Sequence, residues 1–141
     1  MTRRKPDEAA ILATLKQLKA ANWLGSARQF WPDYIFHFSD IRNIAAILTR
    51  GELVARHFLS EGESFDIASR QVIDHTERDH TKFVRLYFRP RTPTQYHNEG
   101  MRPRSKLSSL GAHCPVPVFL VFDSADLLTR AETLFSEGNL A

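Results

Sequence analysis

From Tyr34 to Ser39 the chain alternates with the two-residue period of a strand. The rings of Tyr34, Phe36 and Phe38 take one face, and Ile35, His37 and Ser39 take the other. At Ile41 the period changes. Ile41, Ile44, Ala45 and Leu48 recur at helical spacing, Asp40 or Ser39 is placed to cap that helix, and Gly51 to end it. Asn43 then falls in the first helical turn, close to where His37 and Ser39 finish. Two polar side chains on one strand face with an amide just beyond make a candidate lip for a small polar ligand.

The same reading extends to the rest of the chain. Residues 7–21 predict a helix capped by Asp7, with Ile11, Leu12, Leu15 and Leu18 as an apolar stripe opposite Lys16, Gln17 and Lys19. Trp23, Leu24, Phe30 and Trp31 follow in a loop. Burial of both tryptophans would pin the helix to the body, at roughly 1.5–3 kcal/mol per large apolar side chain. Leu53 and Val54 predict a short strand. Residues 65–78 predict a charged, sparsely apolar helix that packs loosely and closes over something. Residues 83–88 predict a strand with Val84, Leu86 and Phe88 on one face and Phe83, Arg85 and Tyr87 on the other. Pro90 and Pro93 then break regularity. Residues 116–122 are a continuous apolar run, the mark of a central strand buried on both faces. Asp123 or Ser124 caps a short helix over 125–130, and residues 133–135 read as a last short strand. Helices and strands are mixed without strict alternation, repeats or a glycine-rich nucleotide turn, which predicts the α+β class.

Composition narrows the picture modestly. At 141 residues, 43% hydrophobic and 25% charged, the chain reads as one domain over 1–141, with residues 1–33 an N-terminal helix and loop packed on it. A lone cysteine, Cys114, excludes an internal disulfide framework and fits a reducing compartment. No apolar run reaches the ~20 residues needed to span a bilayer, and the first residues lack a signal peptide's apolar run. A cytoplasmic location is expected. The formal charge is only +3, so where the charge sits matters more than its sum.

Six histidines and Cys114 invite a metal, but His75 and His80 would diverge on a helix, and no Cys-x-x-Cys or His-x-x-x-His pair occurs. No metal site is expected. The absence of Gly-x-Ser-x-Gly, P-loop and dinucleotide fingerprints argues against a serine hydrolase, a P-loop NTPase and a Rossmann dehydrogenase. Cys114 reads as a small core residue. His37 reads either as a structural histidine bonded to a backbone carbonyl or, with Ser39 and Asn43, as a ligand group. Between Arg89 and Lys106 five Lys/Arg (Arg89, Arg91, Arg102, Arg104, Lys106) face one acid, Glu99, with Tyr96 and His97 among them. That stretch is either a solvated loop or a surface for single-stranded nucleic acid, which needs cations for phosphates and rings for bases.

Two blocks carry a resemblance. Tyr34-x-x-His37-x-Ser39-x-x-x-Asn43-Ile44-x-x-Ile47-Leu48-x-x-Gly51, followed by Val84-x-x-Tyr87-Phe88-x-Pro90-Arg91-Thr92-Pro93-x-x-Tyr96, resembles the DarT family, the DNA-modifying ADP-ribosyltransferase toxins of DarT–DarG toxin–antitoxin systems. Pro115-Val116-Pro117-Val118-Phe119 and Leu134-Phe135-Ser136-x-Gly138-Asn139 look like the family's next blocks, so the resemblance runs over 34–141. It implies an α+β ADP-ribosyltransferase-like fold with NAD as co-substrate, bound by His37, Ser39, Asn43 and Tyr87. Ser39 would stand where the family more often has threonine. It implies a catalytic arginine in the middle helix, best matched by Arg78 with Arg70 in reserve. Arg89, Arg91, Tyr96, Arg102 and Arg104 would face single-stranded DNA, with thymidine as the usual acceptor, and an antitoxin or a partner chain completing the site would be the protein partner. The family's catalytic glutamate lies beyond the Gly138-Asn139 block, and Glu132 imitates its surroundings only faintly. Three expectations stay open: a fragment lacking the C-terminal part of the fold, a catalytically incomplete nucleic-acid-binding or regulatory module, or a site completed by another chain.

Overall fold

A computed structural model describes residues 2–64, 79–90, 95, 98–103, 105, 107 and 113–136. The expected helix over 65–78 lies outside them. Among the described residues the elements are α1 (Glu8–Lys19), β1 (Tyr34–Asp40), α2 (Ile41–Arg50), β2 (Pro117–Asp123) and α3 (Ser124–Leu128), with three short 3-10 turns between α1 and β1 and two more after α2. Helices beside a small two-stranded antiparallel sheet make this an α+β chain.

β1 is the centre of the arrangement. Its residues pair with β2 in a continuous register, with His37 opposite Leu120, Phe38 opposite Phe119 and Ser39 opposite Val118. On its other edge Phe36 and Tyr87 exchange both backbone hydrogen bonds, each 2.8 Å long. Ile35, Phe36, Phe38 and Ser39 are all buried, so both faces of β1 are covered rather than the aromatic face alone. Phe38 sits between the tilted rings of Phe119 and Tyr87, with centroids 6.2 and 6.0 Å away. Cross-strand ring pairs of this kind add about 0.5–1.5 kcal/mol each beyond their buried area.

The apolar run at 116–122 behaves differently from expectation. β2 is only half-buried, and Val121 is 53% exposed, because β2 has its described strand partner on one side alone. Among the described residues, then, this continuous apolar run is paired along one edge. The predicted strand over 83–88 contracts to the single bridge at Tyr87, and neither 53–54 nor 133–135 forms a strand. Leu134 and Phe135 are exposed, and the Phe135 ring is met by Lys5 Nζ 4.0 Å from its centroid.

α2 follows β1 without a loop because its cap is built into the junction. Asp40 accepts from the Arg42 backbone N–H at 3.1 Å, and the N–H of Ile41 donates to the Val116 carbonyl at 3.0 Å. Gly51 ends the helix with φ +77, where its N–H reaches the Ile47 carbonyl at 2.8 Å. Only glycine takes that backbone conformation without a Cβ penalty. The helix lies on the surface: Ile44 is buried, while Ile41, Ala45 and Leu48 of the predicted stripe are exposed.

The N-terminal segment folds back on the far end of the described chain. Lys5 N–H donates to Thr129 at 2.8 Å and Ala131 N–H to Arg3 at 2.9 Å. Arg4 reaches Asp126 at 2.9 Å, and Arg130 holds the second oxygen of the same carboxylate. α1 is capped by position at Asp7 but without a side-chain hydrogen bond, and none of its residues is buried. The expectation that both tryptophans pin it down holds only in part: Leu24 is buried and Trp31 half-buried in the turn that packs against α1, whereas Trp23 and Phe30 stand in solvent. Lys19 ties α1 to Asp33 (2.6 Å), and the turn carrying Asp33 is held to α3 by Ser124 Oγ, which donates to the Pro32 carbonyl.

Candidate functional site

The polar face of β1 and the first turn of α2 bring three of the expected residues to one corner. Alternation puts His37 and Ser39 on the same side of the strand, beside Leu120 and Val118 of β2. The corner at Asp40 turns the chain so that Asn43 comes back over the strand end. Its Nδ2 donates to Ser39 Oγ at 2.9 Å. Ser39 is buried and Asn43 half-buried, so this amide–hydroxyl pair is held, not dangling.

His37 Nδ1 lies 3.0 Å from the Arg85 carbonyl. A carbonyl only accepts, so Nδ1 carries the proton and Nε2 is left as the acceptor in the neutral ring. Burial lowers the His37 pKa below its ordinary 6.5, against a smaller opposing effect of the Arg85 carbonyl, so the ring is neutral at pH 7. The structural bond of His37 is thus made at Nδ1, and Nε2 is the remaining acceptor of the neutral ring.

Tyr87 does not share this corner through its ring. As the bridge partner of Phe36 it projects to the aromatic face and packs on Phe38, and burial raises its hydroxyl pKa. What Tyr87 gives the site is backbone: its pairing with β1 sets the preceding strand segment, and with it the Arg85 carbonyl, against His37. Arg89 and Arg102 are both exposed. Arg70, Arg78, Arg91, Tyr96 and Arg104 lie outside the described residues. Glu132 is exposed in the turn after α3, on the segment paired with the N-terminal residues.

Beneath the corner is a feature that pattern reading reduced to a helix cap. Asp40 is fully buried, with Oδ1 accepting from Arg42 Nε at 2.5 Å as well as from the Arg42 N–H, and Oδ2 3.5 Å from the Val116 N–H. Burial works against its charge, but these donors outweigh it and hold its pKa below 3.8. An acidic residue two before an arginine at a strand–helix corner is the sequence signal that was available. The Arg85 carbonyl had none, since any residue supplies one. Cys114, also fully buried, has its thiol pushed up to about 11 by burial and by the nearby Asp40 carboxylate. Among the described residues no group of three or more His, Cys, Asp or Glu could hold a metal ion. No described helix is long and apolar enough to cross a membrane.

Residues 36–141 match the family model described as "ssDNA thymidine ADP-ribosyltransferase, DarT", which takes in every residue of this corner. No curated protein and no solved structure matches the chain.

Proposed function

The chain belongs to the DarT family, and from that premise we propose that it transfers ADP-ribose from NAD⁺ to thymidine in single-stranded DNA, as the toxin of a cytoplasmic toxin–antitoxin pair. In this reading the whole chain is one domain with an ADP-ribosyltransferase-like fold. The bond between nicotinamide and ribose breaks, a bond from that ribose carbon to a base atom forms, and the base gives up a proton.

The residues of the β1–α2 corner fit the dinucleotide. A neutral imidazole fixed through Nδ1 offers Nε2 to a ribose hydroxyl, which is a donor seeking an acceptor. The Ser39–Asn43 pair supplies a hydroxyl and an amide to orient the polar body of the ligand. Leu120 and Val118 flank them and keep water from that side. Tyr87 enters through its backbone, which sets the Arg85 carbonyl on His37. Arg78, with Arg70 second, is the proposed catalytic arginine. Arg89, Arg91, Tyr96, Arg102 and Arg104 are the proposed contacts for the DNA strand, whose bases must be unstacked to react.

The observation that carries the reading is the His37 ring, carbonyl-bound at one nitrogen and kept neutral by burial, beside a bonded serine–asparagine pair. The test incubates the protein with NAD⁺ and oligonucleotides of different base content and weighs the DNA. A gain of one ADP-ribosyl unit on thymidine-bearing strands alone, lost in His37→Ala, is the expected result. DNA that stays unmodified whatever its base content, even where the protein retards it on a gel, overturns the proposal in favour of a binding module.

A further inference from the structure

We propose that the N-terminal segment, residues 2–34, carries a second surface for single-stranded DNA, apart from the β1–α2 corner, where exposed rings stack on bases and lysine and arginine meet phosphates. It rests on the proposed function only for the identity of the ligand.

Charge is the first observation. Residues 1–35 hold six Lys/Arg against three Asp/Glu, so the entire formal excess of +3 lies there, and residues 36–141 carry equal numbers of each sign. The part matched to the family is electrically balanced, and the part before it is not. Exposed aromatic surface is the second. Trp23 is 72% exposed, Phe30 47% and Tyr34 40%, and the Phe30 and Tyr34 rings lie 6.4 Å apart at a tilt. Exposing a tryptophan forgoes roughly 1.5–3 kcal/mol of burial, so three such rings on one short segment mark a surface with a use.

Shape brings one of these rings, Tyr34, beside two lysines. Between α1, the turn at Trp31–Asp33 and the start of α3 is an open cavity of about 420 Å³, lined by Lys16, Lys19, Leu15, Pro32, Tyr34 and Ala125, among others. Two carboxylates also border it, and both are engaged: Asp33 by Lys19 at 2.6 Å, and Asp123 by capping the Asp126 N–H at 2.8 Å. Capping leaves the Asp123 charge in place, so the cavity lining itself is balanced, and Lys16 is its lysine with no ion pair among the described residues. Arg28 stacks over Trp31 with its carbon 5.7 Å from the ring centroid, still exposed to solvent. Cations beside exposed rings suit a strand held without regard to sequence. Such a surface would lengthen the footprint on a strand whose reacting base sits elsewhere.

The test measures binding of long and short deoxyadenosine strands to the full chain by fluorescence anisotropy, without NAD⁺ and across a range of salt. The long strand should bind more tightly. Lys16→Glu with Arg28→Glu should weaken it about tenfold or more and flatten the slope of log K against log salt by about 1.4, some 0.7 for each phosphate that goes unneutralised. Phe30→Leu should weaken it roughly fivefold or more, and Phe30→Trp should not. All three positions are exposed, and circular dichroism confirms folding; Trp23→Leu supplies an independent ring deletion. Unchanged affinity and slope in the charge-reversed chain overturn the proposal. So does a wild-type dimer that Phe30→Leu dissolves while strand affinity stays the same, since the patch then serves a second copy. Strands without thymidine keep this test separate from transfer. Failed transfer with intact length-dependent binding overturns the proposed reaction alone, whereas transfer with variant-insensitive binding overturns this surface alone.

Discussion

Replacing Asp40 by alanine should destabilise the chain more than any neighbouring surface change. The carboxylate is fully buried and takes the Arg42 N–H at 3.1 Å, Arg42 Nε at 2.5 Å and the Val116 N–H at 3.5 Å. Loss of the cap costs about 1 kcal/mol. Stranding the Val116 N–H costs about another 1 kcal/mol, at the low end because its bond is long. The ion pair adds at most about 1 kcal/mol, since the Arg42 side chain is 44% exposed and screened by water. The total is about 2–3 kcal/mol, and the melting midpoint should fall by roughly 5–10 °C. Asp40→Asn keeps an equally good cap and should lose only about half as much. The charge contributes with a definite sign. Its folded pKa lies below 3.8, so the stabilisation is present above 3.8 and lost as pH falls through the folded value. Urea titrations of both variants and the wild type between acid and neutral pH measure this. A loss under about 0.5 kcal/mol for Asp40→Ala, or an asparagine variant as weak as the alanine one, would refute the account of this corner.

Further outcomes follow from the same geometry. Because the His37 pKa is lowered from 6.5, NAD⁺ affinity should be flat above pH 6.5 and fall only below it, as Nε2 gains a proton; calorimetry at several pH values checks this, and an acid limb above 6.5 would contradict it. The same group's contribution to stability is present above 6.5 and lost as pH falls through the lower folded value. Ser39→Ala removes the acceptor of the Asn43 amide and should raise KM for NAD⁺ by roughly tenfold, while Ser39→Thr keeps the hydroxyl and most of the activity, within about 1.5 kcal/mol of added crowding. Cys114, with its thiol near 11 and no exposed surface, should resist alkylation at pH 8 until the chain is unfolded, and rapid labelling of the native protein would show otherwise.

What the sequence determined is local. Period two from Tyr34 to Ser39, the switch at Ile41 and the stop at Gly51 were legible because alternation, capping and left-handed φ are properties of a few consecutive residues. The buried Cys114 and the shared face of His37 and Ser39 were legible for the same reason. Tertiary structure decided everything that depends on which partner arrives. The run at 117–123 and the segment around Tyr87 have strand composition alike, yet one pairs along the whole of β1 and the other touches it at one residue. Burial did not follow hydrophobicity: Val121, though paired with Phe36, is open to solvent, while Ser39 and Asp40 are enclosed. Even the tautomer of His37 was set by a backbone carbonyl 48 residues away. A side chain's identity is written in the chain, but its dielectric surroundings and the atom its proton points to exist only once distant segments have met.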